Sequence, residues 1–301
     1  MNNQIFWISS YPKSGNTLLR FILIALFFTD NGKFTFDRSK NITQFDSTTV
    51  IKRNEKLFGE DMNNLADLKV FYKYLLELQS KDRLGFKEDF IFLKTHSGLF
   101  EIDGNPFTSA NNSRGIIYIV RDPRDVSISW SNHNGISLDE SINFITNDYA
   151  YLDWPNIKNG TEILNKNLVP KSFLSSWDKH VISWTSLKWK TPLLVISYED
   201  LVYNKEIIIK KIIRFFEKNY NFKFNNKETK IKNIIKTTDF NEFKKFEETD
   251  NFKERTKYGK FFSTGKKDQW KNQMNLNQIN KVEKRFEKTM KMFNYKLSVE
   301  I

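Results

Sequence analysis

Cysteine is absent from the 301 residues, and histidine occurs only three times. A chain without cysteine forms no disulfide, no thiolate metal site and no cysteine nucleophile. Long apolar stretches are absent too: the longest uninterrupted run, residues 21–28, has eight residues, whereas a membrane-spanning helix needs about 20. The start of the chain has no basic segment followed by a long apolar core, as a secretory signal would. These absences predict a soluble cytoplasmic protein that is not attached to a membrane.

The composition is that of a globular protein with a basic surplus. Hydrophobic residues make up 39% and charged residues 28% of the chain, and 48 Lys and Arg against 36 Asp and Glu give a formal charge of +12. Such a surplus favours an anionic partner: nucleic acid, anionic lipid or a phosphorylated small molecule. The lysines are interleaved with acidic residues, however, as on a solvated helix face. Charge alone therefore leaves the partner open.

Short apolar runs alternate with helical patterns along the chain. Four runs have the pattern of fully buried strands, and they cover residues 5–8, 90–93, 115–120 and 192–196. Apolar periodicity predicts helices over residues 18–28, 126–130, 205–217 and 276–293. Asp122 or Pro123 is the expected start signal of the second of these helices. This alternation predicts an α/β fold, a single domain over residues 1–301 in which helices flank a central, mainly parallel sheet. Polar segments resembling insertions cover residues 31–65, 97–113 and 131–170, and they are expected to line a ligand pocket.

The loop at residues 11–17, Tyr-Pro-Lys-Ser-Gly-Asn-Thr, joins the first strand to the first helix. This arrangement aims backbone N–H groups and the helix dipole at an anion. Gly15 permits close backbone approach, Ser14 and Thr17 offer hydroxyls, and Lys13 supplies a positive charge. The loop differs from the nucleotide-binding pattern G-x-x-x-x-G-K-[ST], because its lysine precedes its glycine. It predicts a phosphate site; the alternative is a serine-capped helix start beside an incidental lysine.

A second strand end carries another candidate anion site. The segment 117–130 reads IYIVRDPRDVSISW, which places Arg121 at the end of a strand and Ser129 on the helix that follows. An arginine and a hydroxyl so placed can clamp a second phosphate, the arginine in bidentate fashion. The alternative for Arg121 is a salt bridge to Asp122 or Asp125.

His96 is the predicted acid–base residue, because it follows a buried strand directly and stands two residues after Lys94. A neutral imidazole near pH 7 can take a proton from an attacking hydroxyl. The alternative is a core histidine satisfied by hydrogen bonds. His180, between Trp177 and Trp184, is expected to serve packing. Three histidines so far apart predict no metal site.

Together these motifs resemble the sulfotransferases that use 3′-phosphoadenosine 5′-phosphosulfate (PAPS), in particular their soluble, bacterial-type branch. Residues 11–17 resemble the family's 5′-phosphosulfate loop and residues 121–129 resemble its 3′-phosphate site. The resemblance implies a P-loop-like α/β fold. It also implies transfer of a sulfuryl group, without a metal, to the hydroxyl or less readily the amine of a small-molecule or glycan acceptor.

The resemblance implies a role for each matched position. Lys13 would stabilise the leaving phosphate, Lys94 would assist at the sulfuryl oxygens, and Ser129 would restrain Lys13 until the acceptor binds, with His96 as the base. The residues implied at the 5′-phosphate are Lys13, Ser14, Gly15, Asn16 and Thr17. Those implied at the 3′-phosphate are Arg121 and Ser129, and those implied at the adenine are Tyr198, Thr238 and Phe240.

Residues 255–272 resemble the family's C-terminal lid, whose motif here reads GKKDQWKN from Gly265 onward. The family carries Arg-Lys before this glycine, whereas this chain has Ser263 and Thr264. These two residues and Gly265 are therefore implied at the 3′-phosphate with two fewer positive charges.

Two other functions fit parts of the sequence. A P-loop-like nucleotide or small-molecule kinase would use Asp122 or Asp200, near strand ends, to bind Mg²⁺, but it would also need the full glycine loop. A basic nucleic-acid-binding protein would use the segment 241–271, where phenylalanines alternate with lysines; a lid over a cofactor explains the same pattern. The sequence favours the sulfotransferase and predicts no nucleic-acid partner. It leaves the acceptor's identity and the oligomeric state open.

Overall fold

The computed structural model describes residues 4–153, 171–249, 258 and 265–298. Contacts between Cα atoms divide the chain into two compact units. The first unit comprises Met1–Tyr11, Thr43–Tyr118 and Asn147–Leu193. The second unit comprises Pro12–Ile42, Ile119–Thr146 and Leu194–Ile301. That the chain is one domain stays a prediction.

The described residues contain nine strands, and five of them form one sheet in the order β2-β3-β1-β6-β9. β1 pairs in parallel with β3, with Ile5 opposite Ile91, and β2 pairs in parallel with β3. Strands that are sheet neighbours but not chain neighbours need crossover connections. The predicted α/β class with a parallel sheet is confirmed. The strands are β1 (Ile5–Ser10), β2 (Thr43–Gln44), β3 (Ile91–Thr95), β4 (Glu101–Ile102), β5 (Asn105–Pro106), β6 (Ser113–Val120), β7 (Tyr151–Asp153), β8 (Lys171–Phe173) and β9 (Leu193–Ser197).

The helices account for most of the remaining described residues. In chain order they are α1 (Asn16–Phe27), α2 (Thr48–Arg53), α3 (Glu55–Phe58), α4 (Leu68–Tyr72), α5 (Leu75–Leu78), α6 (Lys81–Leu84), α7 (Pro123–Asn134), α8 (Leu138–Thr146), α9 (Trp177–Thr185), α10 (Tyr198–Tyr203), α11 (Lys205–Tyr220), α12 (Lys227–Thr237), α13 (Phe240–Thr249), α14 (Trp270–Gln273) and α15 (Leu276–Met292). Across the described part of the chain, no helix combines the length and the hydrophobicity needed to cross a membrane.

The core of the first unit is built around β1, all of whose residues are buried. The ring of Trp7 packs against Phe45 and Phe107, and Phe107 packs against Trp184. The Trp7 indole N–H donates to the Ser113 hydroxyl at 3.0 Å, so its polar atom is satisfied inside the core. The aromatic cluster fixes β1 beside its neighbours, and with it the residues that follow the strand ends.

The core of the second unit contains α1, whose residues are buried on nearly every side. It also contains α15, which packs on α7 and α8. Ile279, Val282, Phe286 and Met290 of α15 are buried, whereas Leu276, the first residue of the helix, is 73% exposed. Asn275, the N-cap, and Gln278, in the first turn of α15, form a capping box, which satisfies two N–H groups at the helix start.

Two helices begin where turn chemistry requires. α1 begins at Asn16, two residues before the predicted start, because Gly15 takes a left-handed backbone and acts as the N-cap. α7 begins at Pro123, and the Asp122 side chain accepts the Arg124 backbone N–H at 2.9 Å. The predicted start signals, Asp122 and Pro123, are confirmed. Each helix start follows a strand of the sheet, so the positive end of the helix dipole lies there.

Candidate functional site

The loop between β1 and α1 has the shape of an anion cradle. Lys13 and Gly15 have positive φ angles of 65° and 97°, and such left-handed residues curl successive N–H groups toward one side. α1 has twelve residues and adds the positive end of its dipole at the same place. A Cβ on Gly15 would lie 2.5 Å from Cδ2 of Tyr198. Glycine is therefore required at position 15 by its φ angle and by the close approach of Tyr198.

Arg121 leaves the end of β6 and faces this loop. Its Nη1 donates to the Lys13 carbonyl at 2.8 Å, and its guanidinium lies 4.2 Å from the centroid of the Tyr198 ring. A salt bridge to Asp122, one of the alternatives for Arg121, does not take up its charge, because the Asp122 carboxylate binds Arg124 at 2.6 Å. The structure therefore brings together Lys13, Gly15, Arg121 and Tyr198.

Two polar groups at this place are buried without a hydrogen-bond partner among the described residues. They are the Ser14 hydroxyl and Nε of Arg121, in side chains that are 1% and 4% exposed. Leaving a buried donor unsatisfied costs about 1–3 kcal/mol, so native proteins rarely do so without a ligand or water. An anion with several acceptor oxygens would satisfy both groups. The residues present therefore fit a phosphorylated ligand.

The residues predicted at the adenine lie in the same unit. Tyr198 is 8% exposed, and burial raises the pKa of its phenol. Thr238 is fully buried; its hydroxyl donates to the Ile234 carbonyl at 2.7 Å, and its own carbonyl accepts Nζ of Lys205 at 2.6 Å. The Thr238 hydroxyl is thus used at the end of α12. A contact between Thr238 and an adenine stays a prediction.

The end of the predicted lid is fixed by Asp125. Its carboxylate accepts the backbone N–H groups of Asp268 at 2.8 Å and Trp270 at 3.1 Å, while burial raises its pKa to about 6. A Cβ on Gly265 would lie 2.9 Å from the Phe240 ring, which places these two predicted residues together. Ser263 and Thr264 lie outside the described residues. Sequence reasoning missed the anchoring role of Asp125, although its position in the first turn of α7 was visible.

The other predicted residues of the second unit lie on helices. Asn16 and Thr17 are buried in the first turn of α1. Ser129 lies on α7, about two turns after its start, and is partly exposed. Their contacts with a nucleotide, and the restraint of Lys13 by Ser129, stay predictions.

The predicted base, His96, lies in the first unit and is 9% exposed. Its Nδ1 is 2.9 Å from the carbonyl oxygen of Ser10, the last residue of β1, and 3.4 Å from the Ser10 hydroxyl. Because a carbonyl only accepts, Nδ1 carries the hydrogen, and Nε2 is the basic nitrogen. In this tautomer Nε2 has a lone pair, so His96 has the form that it needs in order to accept a proton at Nε2.

Lys94 lies in β3 and is 6% exposed. Its carbonyl accepts the Phe45 backbone N–H at 2.9 Å, which secures the end of the strand. His96 lies one residue beyond the end of this strand, so the two side chains both belong to the segment at its carboxyl end. The described residues contain no cluster of three or more His, Asp or Glu side chains arranged to bind a metal ion.

Glu199 is a titrating group that sequence reasoning missed. Its carboxylate accepts the Asp122 backbone N–H at 3.2 Å and the Tyr295 hydroxyl at 3.0 Å. It also borders a cavity of about 730 Å³. Burial outweighs these hydrogen bonds and raises the pKa of Glu199 to about 7. Nothing in the local sequence indicates the partner, because Tyr295 lies 96 residues further along the chain.

The raised pKa predicts how stability changes with pH. The folded chain keeps the Glu199 proton up to about pH 7, whereas the unfolded chain loses it near its ordinary pKa of 4.5. The contribution of this group to stability is therefore fully present below the unfolded pKa and is lost as the pH rises through the folded pKa. We expect the melting temperature of wild type to fall between pH 5 and 7.5 by a few degrees more than that of Glu199→Gln. Parallel melting curves for the two proteins would contradict this assignment.

The Gly15→Ala substitution is expected to damage the loop. A residue with a side chain in a left-handed conformation costs about 1–2 kcal/mol, and the new methyl group would also displace Tyr198. Gly104→Ala is the matched control, because Gly104 has a similar φ of 78° but no atom within 4 Å of its would-be Cβ. Thermal melts should show a larger loss of stability for Gly15→Ala. Equal losses of stability in the two variants would mean that the contact with Tyr198 does not restrict position 15.

Comparison with known proteins places the chain in one family. The family model of the sulfotransferase domain matches residues 3–294 of this chain. Luciferin sulfotransferase of Photinus pyralis is 22% identical over 287 residues, which cover 89% of this chain and 66% of that protein. Sulfotransferase 2A1 of Mus musculus is 32% identical over 107 residues, which cover 34% of this chain and 31% of that protein. The chain thus spans just under two thirds of the first relative and about a third of the second.

Solved structures of the family share the fold. Mouse sulfotransferase SULT7A1 complexed with PAP superimposes with a TM-score of 0.57 at 19% identity, covering 96% of this chain and 84% of that one. Retinol dehydratase in a complex with retinol and PAP gives a TM-score of 0.59 at 18% identity, covering 97% and 82%. At these identities the likeness shows the fold alone. With a family match over nearly its whole length, the chain belongs to the sulfotransferase domain family.

Proposed function

We propose that this chain transfers a sulfuryl group from PAPS to the hydroxyl, less readily the amine, of a small-molecule acceptor. The observation that carries the proposal is the pair of buried, unpartnered groups, the Ser14 hydroxyl and Nε of Arg121, beside the left-handed loop at the start of α1. The pair fits a ligand with two phosphate groups, and PAPS has a phosphate at each end of its ribose. The relatives complexed with PAP support this choice of nucleotide.

The nucleotide is held, in this proposal, by the second unit. The loop 13–17 takes the 5′-phosphate, and Arg121 with Ser129 takes the 3′-phosphate. Tyr198, Thr238 and Phe240 take the adenine. The lid, with Ser263, Thr264 and Gly265, covers the 3′-phosphate, and its last turn is held by Asp125.

The chemistry is assigned to three side chains. His96 accepts the proton of the acceptor hydroxyl at Nε2, and the acceptor oxygen then forms its bond to sulfur as the bond from sulfur to the 5′-phosphate oxygen breaks. Lys13 stabilises the negative charge that develops on the departing phosphate oxygen, and Lys94 stabilises the sulfuryl oxygens. Ser129 restrains Lys13 until the acceptor is bound. The acceptor proton ends on His96, and the adenosine bisphosphate leaves.

The proposed acceptor class is a small molecule rather than a glycan. One relative is named for luciferin, and a protein of the same fold is solved with retinol; both are small molecules with a hydroxyl group. Cytoplasmic location, the absence of a metal requirement, and the absence of nucleic-acid and membrane partners stay predictions from the sequence.

The proposal is tested first by thermal melts. We expect 3′-phosphoadenosine 5′-phosphate, with chelator present, to raise the melting temperature of wild type. A ligand at 100 times its dissociation constant adds about 2.7 kcal/mol of stability, which is several degrees for a chain of this size. Adenosine 5′-diphosphate, which lacks the 3′-phosphate, should give a smaller shift. In Arg121→Ala the melting-temperature shifts caused by the two nucleotides should differ less, because the guanidinium proposed to bind the 3′-phosphate is gone.

The same experiment separates the competing function. ATP with Mg²⁺ is melted in parallel, and Lys33→Ala serves as a control because Lys33 is exposed and lies outside the loop. A shift with ATP and Mg²⁺ alone would contradict the sulfotransferase and favour the kinase. If 3′-phosphoadenosine 5′-phosphate and adenosine 5′-diphosphate shifted the melting temperature of wild type equally, a 3′-phosphate site at Arg121 would be contradicted.

A further inference from the structure

His180 is hydrogen-bonded through both ring nitrogens, although the sequence predicts only a packing role for it. The side chain is fully buried. Its Nδ1 lies 2.8 Å from the Tyr118 hydroxyl, and its Nε2 lies 2.9 Å from the carbonyl oxygen of His96. All three residues belong to the first unit. His180 therefore contacts the backbone of the predicted base and not its imidazole.

The direction of each hydrogen bond follows from the groups involved. The His96 carbonyl only accepts, so Nε2 of His180 carries the hydrogen, and Nδ1 accepts from the Tyr118 hydroxyl. Burial raises the pKa of Tyr118 well above its ordinary value, so the phenol keeps its proton. Burial also lowers the pKa of His180 to about 4, so the imidazole stays neutral near pH 7. Both bonds thus persist unchanged across the pH range in which a sulfotransferase is assayed.

The beginning of the phosphate-binding loop contacts the same imidazole. The Tyr11 ring packs edge-on against His180 with centroids 5.3 Å apart. Tyr11 is the first residue of the segment 11–17, two positions before Lys13. On the other side, Trp184 donates to the carbonyl of Ser97 at 3.0 Å, which secures the residue after the base.

We propose that Tyr118 and His180 are positioning residues that fix the backbone of His96 relative to Tyr11. The hydrogen bonds run from the Tyr118 hydroxyl through the His180 ring to the His96 carbonyl, and the Tyr11 ring packs against the same imidazole. These contacts keep the end of β3 at a fixed distance from the end of β1. The Ser10 carbonyl then orients the His96 ring. This inference rests on the proposed function, because it concerns the residue that is to accept the acceptor's proton.

His180 itself does not act as the base. Its Nε2 already carries a hydrogen that is donated to the His96 carbonyl, and the Nδ1 lone pair is taken by Tyr118. A side chain with no exposed surface has no access to an acceptor hydroxyl. Its contribution is therefore to geometry, where a misplacement of 1 Å can cost about 10²-fold in rate.

Three variants test the inference. Tyr118→Phe removes one hydroxyl and leaves the ring in place, His180→Phe fills the same space but removes both hydrogen bonds, and His180→Gln restores a donor toward the His96 carbonyl. We expect kcat for sulfuryl transfer to fall by about tenfold in Tyr118→Phe and by about 10²-fold in His180→Phe. His180→Gln should recover a large part of that loss. The dissociation constant of 3′-phosphoadenosine 5′-phosphate should change by less than about twofold in all three. Lys179→Ala, at an exposed position on the same helix, should change neither quantity.

Nitrogen NMR of the imidazole rings gives a readout that does not depend on activity. We expect wild type to show His180 with its hydrogen on Nε2 and His96 with its hydrogen on Nδ1, and Tyr118→Phe to weaken the preference at His180. A folded His180→Phe protein with wild-type kcat, a loss of kcat matched by an equal loss of nucleotide affinity, or an His180 hydrogen on Nδ1 would each overturn the positioning role. Failure of wild type to transfer a sulfuryl group to any acceptor would instead contradict the proposed function on which this role depends.

Discussion

Lys13→Ala is expected to lower kcat for sulfuryl transfer by about 10²- to 10³-fold, the usual effect of removing one preorganised group that stabilises developing charge. The backbone of Lys13 is held by Arg121, which donates to its carbonyl at 2.8 Å, and its φ of 65° gives the side chain a fixed origin. Because the charge on the departing oxygen develops only in the transition state, the loss should fall mainly on kcat. Affinity for the bisphosphate product should decrease much less.

Steady-state kinetics of the purified variant measure this effect, with Lys33→Ala as the control lysine. Lys33 is exposed and belongs to the same unit, so its loss changes the net charge equally. A Lys13→Ala enzyme that keeps its kcat and loses only nucleotide affinity would show that the lysine is a binding residue. A similar loss in Lys33→Ala would show that overall charge, and not the loop, is responsible.

His96→Ala is expected to lower kcat/KM by about 10²- to 10⁴-fold, the range for loss of a general base. The pH dependence should also change. In wild type the proton of a phenol is expected to pass to Nε2 of His96, the basic nitrogen of the tautomer that Ser10 selects. In the variant the rate on a phenol should follow the ionisation of the phenol itself, because no side chain then accepts the proton.

A set of phenols of decreasing pKa makes this test sharp. Acidic phenols are already ionised near neutral pH, so the variant should lose least rate with them and most with the least acidic ones. His133→Ala is the matched control, a histidine of α7 outside the proposed proton path. A uniform loss across the phenols would contradict the role of His96 as base, and so would a variant with nearly full activity.

Local sequence patterns predicted four strands of the central sheet, since β1, β3, β6 and β9 overlap the predicted apolar runs. β1 and β6 are buried almost throughout, as unbroken apolar runs indicate, whereas β9 is buried only at alternate positions. The other strands, of two or three residues each, were missed. The start of α7 followed from Asp122 and Pro123. The short helices α2 to α6 were missed, because each has only four to six residues and is stabilised by packing, not by its own sequence.

The supporting contacts of the site could not be read from the sequence. Arg121 reaches the carbonyl of Lys13 across 108 positions, and His180 reaches His96 across 84. Both bonds end on backbone carbonyls, which every residue type provides, so the sequence contains no signal for them. The residue types at the site are thus predictable, whereas the groups that hold them in place depend on the fold.

The most direct test of the proposed function is a product assay with PAPS and a series of hydroxyl-bearing small molecules, run with chelator. We expect wild type to form adenosine bisphosphate and a sulfated product in equal amounts, identified by mass spectrometry, and Lys13→Ala to form neither at a comparable rate. Phosphorylated product from ATP, with PAPS left intact in every reaction, would contradict the assignment of this chain as a sulfotransferase.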